Sequence, residues 1–418
     1  MLLPPLRALF LAPLLAAVDL DREIVLAAHA GAAPEDLAIA RAQAQARAAG
    51  ARAADFERLA WAYVAKARRT LDAGYHKLAE KTAGVADARF GPSVATRVVR
   101  AHVLHNLHRF REAEVIAAQL VAERGEPADL ALLSDALIEQ GKITAGIAVL
   151  GRLVALKPGV AAFSRIAHVR WLTGDLAGAI SAMDSALRAS AADDAETQAW
   201  LLTRLSGYAL QVGNLAAALG LAEQAGATLS DYAPALLAHG RALLALERTA
   251  DAVAPLQRAA ALLPQPECQW WLADALRAAG READAAAVES RLLKRGAIED
   301  PRTFALFLAT RRAEPATALR LARAGLAERA DALSHDALAW AALAAGDTAA
   351  AADAMRAALA AGTRDARLFL HAGGIALAQG DAAAAERHFA AARPLAATLT
   401  PSERAWLARP VPGALAAR

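Results

Sequence analysis

The 418-residue sequence has a single cysteine, Cys268, which excludes an internal disulfide and any multi-cysteine zinc or iron–sulfur site. Aromatic residues make up only 5% of it, and alanine supplies much of the 56% hydrophobic content. No uncharged apolar run reaches about 18 residues, so no transmembrane span is predicted. The 46 basic and 43 acidic residues nearly balance, and no nucleic acid partner is expected from charge alone.

Familiar catalytic motifs are also missing. The sequence contains no phosphate-binding glycine loop, no G-x-S-x-G nucleophile and no H-E-x-x-H zinc motif. It therefore predicts a non-enzymatic protein without a cofactor, and function has to be argued from individual sites.

Residues 1–33 form a signal-like or N-terminal helical segment. Arg7 is followed by an apolar stretch from Ala8 to Val18, broken only by Pro13. This stretch has the length of a secretory h-region and is too short to span a bilayer, so we expect a periplasmic or secreted protein. The alternative is an ordinary N-terminal helix in a cytoplasmic protein.

Glycines recur along the chain at a nearly constant spacing. Neighbouring members are 33, 39 or 34 residues apart, and two wider gaps of 67 and 66 residues correspond to two periods each. Glu247 and Ala313 stand where the missing glycines are expected. Each glycine is followed five residues later by Gly or Ala. The six are Gly141, Gly174, Gly213, Gly280, Gly346 and Gly380.

Each period has the pattern of two helices joined by a tight turn. In residues 160–191, apolar positions recur at helical spacing before and after Thr173-Gly174-Asp175. A glycine at this position ends the first helix in a left-handed conformation. The small residue after it, such as Ala179, is expected where the two helices cross. Because one pair cannot bury its apolar face alone, neighbouring pairs must stack.

This pattern resembles the tetratricopeptide repeat, whose units have about 34 residues. The resemblance implies an all-α, right-handed α-solenoid of stacked helix-turn-helix repeats. Nine repeats are predicted over 94–398, after a divergent helical capping pair over 34–93 and before a C-terminal capping helix and tail over 399–418. Irregular junctions are expected around Ala189–Ala195 and Arg311–Pro315.

In tetratricopeptide proteins the first helix of each repeat lines the concave groove, so the resemblance also implies a binding site there. Polar and aromatic residues at the groove-facing positions of these first helices suggest a groove for a peptide or partner protein. The predicted groove residues are His102, His105, Asp135, Glu139, His168, Trp171, Arg241, Trp270, Asp274, Arg277, Phe307 and Trp340, with Thr203 and Gln211 in matching slots.

The leading hypothesis is a protein-binding scaffold in a bacterial envelope assembly, and two alternatives remain open. His102 and His105 are three residues apart on one helix and could ligate a metal ion. Residues 41–124 contain 15 basic and 8 acidic residues, which suits a cytoplasmic adaptor that binds an acidic partner or nucleic acid. Cys268 is expected to be structural rather than reactive.

Overall fold

The computed structural model describes residues 19–410, and every regular element among them is helical. No helix in this range is long and apolar enough to cross a membrane. The signal-like stretch from Met1 to Val18 and the tail after Pro410 lie outside the described residues.

The predicted capping segment contains three helices. They are α1 (Pro34–Arg47), α2 (Ala53–Thr70) and α3 (Ala73–Phe90). Helices α2 and α3 carry the core residues expected for the pair, including Phe56 and Leu59, which are fully buried. Helix α1 precedes this pair.

Nine helical pairs follow, and the two helices of most pairs pack directly against each other. The described chain is therefore an α-solenoid of stacked helical pairs. The pairs are α4 (Val94–Asn106) and α5 (Phe110–Glu123), α6 (Pro127–Glu139) and α7 (Ile143–Leu156), α8 (Val160–Leu172) and α9 (Leu176–Ala189), α10 (Ala195–Gln211) and α11 (Leu215–Thr228), α12 (Ala233–Ala245) and α13 (Thr249–Leu262), α14 (Pro266–Ala278) and α15 (Glu282–Glu299), α16 (Pro301–Arg311) and α17 (Pro315–Glu328), α18 (Ala332–Ala344) and α19 (Thr348–Leu359), and α20 (Ala366–Ala378) and α21 (Ala382–Ala392).

The turns inside the pairs adopt the left-handed conformation that the glycine pattern predicts. All six repeated glycines have φ between +74° and +85°, a region that suits a residue without Cβ. Glu247 takes the same conformation at φ +61°. At the Arg311–Pro315 junction, where the sequence predicts an irregular turn, Arg312 (φ +53°) and Glu314 (φ +46°) carry the positive angles on either side of Ala313. Pro315 starts α17 and disfavours right-handed helical geometry at the residue before it.

The small residues after each turn are buried where the two helices of a pair cross. Ala179, Ala285 and Ala385 are all fully buried, and Gly146 is buried as well. A larger side chain there would push the helix axes apart.

The chain divides into two compact units between Leu137 and Ile138, inside α6. We call them the N-terminal unit and the C-terminal unit. The C-terminal unit ends in a 3₁₀ helix (Arg393–Thr398) and a short helix, α22 (Pro401–Leu407). These two elements together are called the C-terminal segment.

Candidate functional site

The first helices of the pairs in the C-terminal unit form the surface where the sequence predicts a groove. From α10 to α20, each first helix contacts the first helix of the next pair. We call the side of the unit formed by α8, α10, α12, α14, α16, α18 and α20 the first-helix surface. The C-terminal segment lies against it, in contact with α10, α12, α14 and α20. Part of the predicted groove is thus occupied by the chain itself.

Apolar side chains fix the C-terminal segment in place. Leu395, Leu399 and Leu407 are 5%, 1% and 6% exposed, and they belong to a cluster that includes Leu370 and Phe389 of the last pair. The segment therefore covers the last apolar face, as a capping helix should. It also extends over three earlier first helices, which the repeat pattern does not indicate.

A buried ion pair joins α22 to α20. Arg367 donates from Nε to Glu403 Oε1 at 2.7 Å and from Nη2 to Oε2 at 3.1 Å, and Glu403 is only 2% exposed. Burial alone would raise the pKa of Glu403, but the charge and hydrogen bonds of Arg367 outweigh it and lower that pKa below its usual value. The Thr400 backbone N–H donates to the same carboxylate at 2.9 Å and completes a capping box. The carboxylate is therefore fully engaged inside the protein.

A second network surrounds Asp274 on α14. Its carboxylate accepts hydrogen bonds from Arg311 of α16 and from Ser402 of α22. Glu289 pairs with both Arg277, at 2.7 Å, and Arg311, at 2.9 Å. The predicted groove residues Asp274 and Arg277 thus hold the solenoid and its C-terminal segment together.

The predicted aromatic groove residues are packed in the same way. Trp270 is 1% exposed, lies 5.7 Å from the Phe307 ring and has the Arg367 guanidinium 5.0 Å above it. Trp340 stacks on His371 at 4.1 Å and contacts Trp406 of α22 at 5.5 Å. In this conformation Trp270 and Phe307 present almost no surface to a partner.

Contacts between early and late pairs of the C-terminal unit close another part of the surface. Thr363 donates from Oγ1 to the Leu172 carbonyl at 2.6 Å, and Gln211 donates from Nε2 to the Arg364 carbonyl. Oε1 of the same Gln211 accepts from Trp171 Nε1 at 2.9 Å, between neighbouring pairs. A Cβ at Gly174 would lie 2.5 Å from the Gly362 carbonyl oxygen. Gly174 is therefore required both by its positive φ and by this close approach.

A few predicted groove residues keep accessible surface. His168 stacks on Trp171 with ring centroids 6.0 Å apart, and its Nε2 lies 4.0 Å from the Glu139 carboxylate. Their side chains are half-buried, as is that of Arg241, whose guanidinium lies 4.8 Å above the Trp271 ring. The structure therefore brings Glu139, His168 and Trp171 together at α8, apart from the buried set around Trp270.

The histidines of the N-terminal unit form a separate cluster. His102 lies 6.4 Å from the His76 ring and 5.4 Å from the Trp61 ring, whereas His105 packs on Phe110 at 5.2 Å. Burial, reinforced by neighbouring charges, lowers the pKa of both His76 and His102 to about 4, so both are neutral at pH 7. Among residues 19–410, no group of three or more His, Cys, Asp or Glu side chains could hold a metal ion.

Several basic residues of 41–124 form ion pairs inside the N-terminal unit. Arg97 contacts Glu123 at 2.6 Å, Arg100 contacts Asp87 at 2.8 Å, and Arg109 bridges two glutamates, each at 2.7 Å. Arg124 forms a bidentate pair with Asp129. Asp135, the remaining groove prediction in this unit, is half-buried on α6.

Sequence reasoning missed His76, Arg311, Arg367 and Glu403. The run from Thr400 to Glu403 has the S/T-x-x-E spacing of a capping box, so the start of α22 was readable. Nothing in the repeat pattern pairs Glu403 with Arg367 of α20. Cys268 is buried in the core, and burial raises its thiol pKa, which agrees with a structural role.

The fold and its packing define an all-α repeat scaffold, and comparisons with known proteins name its class. A family model described as tetratricopeptide repeat matches residues 131–194, 237–301 and 337–399. The chain is therefore a tetratricopeptide-repeat protein. This fold serves protein–protein interaction and is typically non-enzymatic.

Solved structures similar to this chain include three helical-repeat proteins. A tetratricopeptide repeat protein from Parabacteroides merdae is 17% identical, with a TM-score of 0.34, over 59% of this chain and 96% of that one. The APC/C hetero-tetramer Cut9–Hcn1 is 14% identical, with a TM-score of 0.35, over 90% and 96%. The human IFIT1 dimer with PPP-AAAA is 16% identical, with a TM-score of 0.37, over 71% and 73%. No curated protein matches the chain.

Proposed function

We propose that this protein is a non-enzymatic scaffold that holds a peptide or a partner protein. The observation that carries the proposal is the series of seven helical pairs from Val160 to Ala392 in the C-terminal unit of a tetratricopeptide-repeat chain. A stack of this kind presents long surfaces to partners.

Within the predicted groove, we propose that a partner contacts the half-buried set of Glu139, His168 and Trp171. The stacked rings of His168 and Trp171 offer apolar area beside the ion pair of Glu139 with Arg329, a combination that suits interface anchors. Trp270, Asp274 and Phe307 are assigned to internal packing instead, because they are buried in contacts within the C-terminal unit.

Affinity capture from native cells, followed by mass spectrometry, tests the scaffold function. We expect the wild-type chain to retain a protein partner and the Trp171→Ala variant to retain less of it. The matched control is Trp200→Ala on α10, because Trp200 is 38% exposed and lies outside the predicted slots. Circular dichroism should show equal helicity for all three proteins. Absence of any retained protein would contradict the scaffold function, and equal loss in both variants would contradict the α8 site.

We further propose that the scaffold works in a bacterial envelope assembly, on the strength of the signal-like stretch alone. N-terminal sequencing of the mature chain from native cells tests this location. A chain that keeps Met1 and fractionates with the cytoplasm would contradict it and favour the cytoplasmic adaptor.

A further inference from the structure

A groove of about 670 Å³ lies on the second-helix side of the C-terminal unit, between α13 and α15. Its most buried apolar lining residues are Leu272, Leu276 and Val288, each no more than 4% exposed. Small side chains such as Ala261 and Ala287 form the walls and allow the backbone of a bound segment to approach closely. This volume lies within the range of ligand-binding clefts in proteins. We call it the α13–α15 groove.

Basic side chains dominate the rim of this groove. Of the five charged residues that line it, only Asp284 is acidic, and it is paired with Arg281 at 2.7 Å. Arg295 is paired with Glu299 at 2.6 Å. Arg291 and Lys294 are exposed and have no ion-pair partner among residues 19–410. The rim therefore keeps two uncompensated positive charges.

The lining also contains a polar group whose hydrogen bonding is incomplete. Gln269 is 5% exposed and donates from Nε2 to the Pro264 carbonyl at 2.8 Å. Its Oε1 accepts no hydrogen bond from any described residue. A buried acceptor without a donor is unfavourable and rare in folded proteins.

We propose that the α13–α15 groove binds an acidic peptide segment of a partner protein, with Arg291 and Lys294 pairing with its carboxylates. The apolar floor suits aliphatic side chains of the same segment, and charge complementarity selects an acidic sequence over a basic one. No aromatic side chain lines the groove, so it lacks the stacking platform of a single-strand nucleic acid site. This inference rests on the scaffold function and adds a second binding surface to it.

A direct binding assay on the full-length chain tests the proposal. The probe is a fluorescein-labelled peptide of Asp-Glu-Leu-Leu repeats, followed by fluorescence anisotropy, and a peptide of Lys-Lys-Leu-Leu repeats is the charge control. Reversal of both rim charges, Arg291→Glu with Lys294→Glu, should weaken binding of the acidic probe about tenfold or more. The basic peptide should bind more weakly than the acidic one, and added salt should weaken binding of the acidic probe.

The matched control reverses Arg320 and Arg323 on α17. These residues have the same spacing and the same exposure, but they do not line the groove. The proposal is overturned if the probe does not bind, if reversal of Arg291 and Lys294 leaves its affinity unchanged, or if the α17 reversal weakens it equally.

Carbodiimide coupling provides a second readout that depends on position. The reagent joins a lysine amine to a nearby carboxylate as an amide, and the C-terminal unit has only three lysines, Lys142, Lys157 and Lys294. The acidic probe should be coupled at Lys294, and coupling mainly at the other two would contradict the site. Because this assay uses a synthetic probe, its failure is distinguishable from failure of the native capture experiment, which tests the scaffold function itself.

Discussion

The first-helix surface and the α13–α15 groove belong to the same unit and both carry several arginines, but these arginines have different partners. On the first-helix surface, Asp274 of α14 pairs with Arg311 of α16, and Arg367 of α20 pairs with Glu403 of the C-terminal segment. In the groove, Arg291 and Lys294 have no such partner in the described chain. The position of a charged residue within the repeat therefore does not determine whether it forms an internal ion pair or can bind a partner. The residues that surround it in the folded chain determine this.

The largest expected effect comes from breaking the buried pair on the first-helix surface. Arg367→Met should lower the free energy of unfolding by about 3 to 5 kcal/mol, because it leaves Glu403 buried without its counter-charge. Urea denaturation followed by circular dichroism measures this loss. Arg356→Met is the matched control, since Arg356 and its partner Asp353 are 76% and 73% exposed, and it should lower the free energy of unfolding by less than about 1 kcal/mol. Equal losses of stability in the two variants would contradict the claim that the buried ion pair stabilises the chain more than the exposed one.

Acid should weaken the N-terminal unit, where buried histidines lack the charged partners found on the first-helix surface. The pKa of His76 and of His102 is about 4 in the folded chain, below the ordinary value of 6.5. The unfolded chain therefore binds more protons between these values, and stability falls as pH decreases from 6.5 toward 4, by up to about 1.4 kcal/mol per pH unit for each histidine.

Urea titrations at several pH values measure this dependence. His105, Arg68 and Asp135 also contribute charge at His102, so the test compares the wild type with a His76→Gln, His102→Gln variant. The variant should show a flatter pH dependence. An unchanged slope would mean that these two histidines do not titrate as described.

Overfilling a helix crossing should have a smaller effect that is independent of charge. Ala179→Leu should destabilise the chain by about 1 to 3 kcal/mol, because Ala179 is fully buried between α8 and α9. Ala177 is exposed on the same helix, and Ala177→Leu should be nearly neutral in the same denaturation assay. If both substitutions cost the same, the crossing has been assigned to the wrong residue.

The smallest effect on stability is expected in the α13–α15 groove. Arg291→Glu with Lys294→Glu should change the free energy of unfolding by no more than about 0.5 kcal/mol, since both side chains are exposed and unpaired. Thermal or urea unfolding checks this value. A loss of several kcal/mol would show that these charges support the fold, and the contrast with the first-helix surface would disappear.

The fold was predictable from sequence because each repeat is specified by short-range features. A glycine such as Gly174, with Ala179 five residues later, sets a turn and a helix crossing within one pair. The exception at Arg312 and Glu314 has a local cause too, since the proline at 315 shifts the turn. Such rules need no knowledge of distant residues.

The candidate site was less predictable because it depends on distant residues. The hydrogen bond from Thr363 to Leu172 joins residues 191 positions apart, and the one from Ser402 to Asp274 joins residues 128 positions apart. These contacts depend on small rotations accumulated over several repeats, and no single repeat encodes them. The groove prediction therefore found the correct helices but could not indicate that the C-terminal segment covers Trp270 and Asp274.

Hydrogen–deuterium exchange of the full-length chain, with and without the Asp-Glu-Leu-Leu probe, tests the central contrast most directly. We expect peptides from the C-terminal segment (Arg393–Leu407) to exchange as slowly as those from α20. The probe should slow exchange around α13 and α15 and leave exchange of the C-terminal segment unchanged. If the probe instead accelerates exchange of the C-terminal segment, the first-helix surface is the open binding site and the account is contradicted.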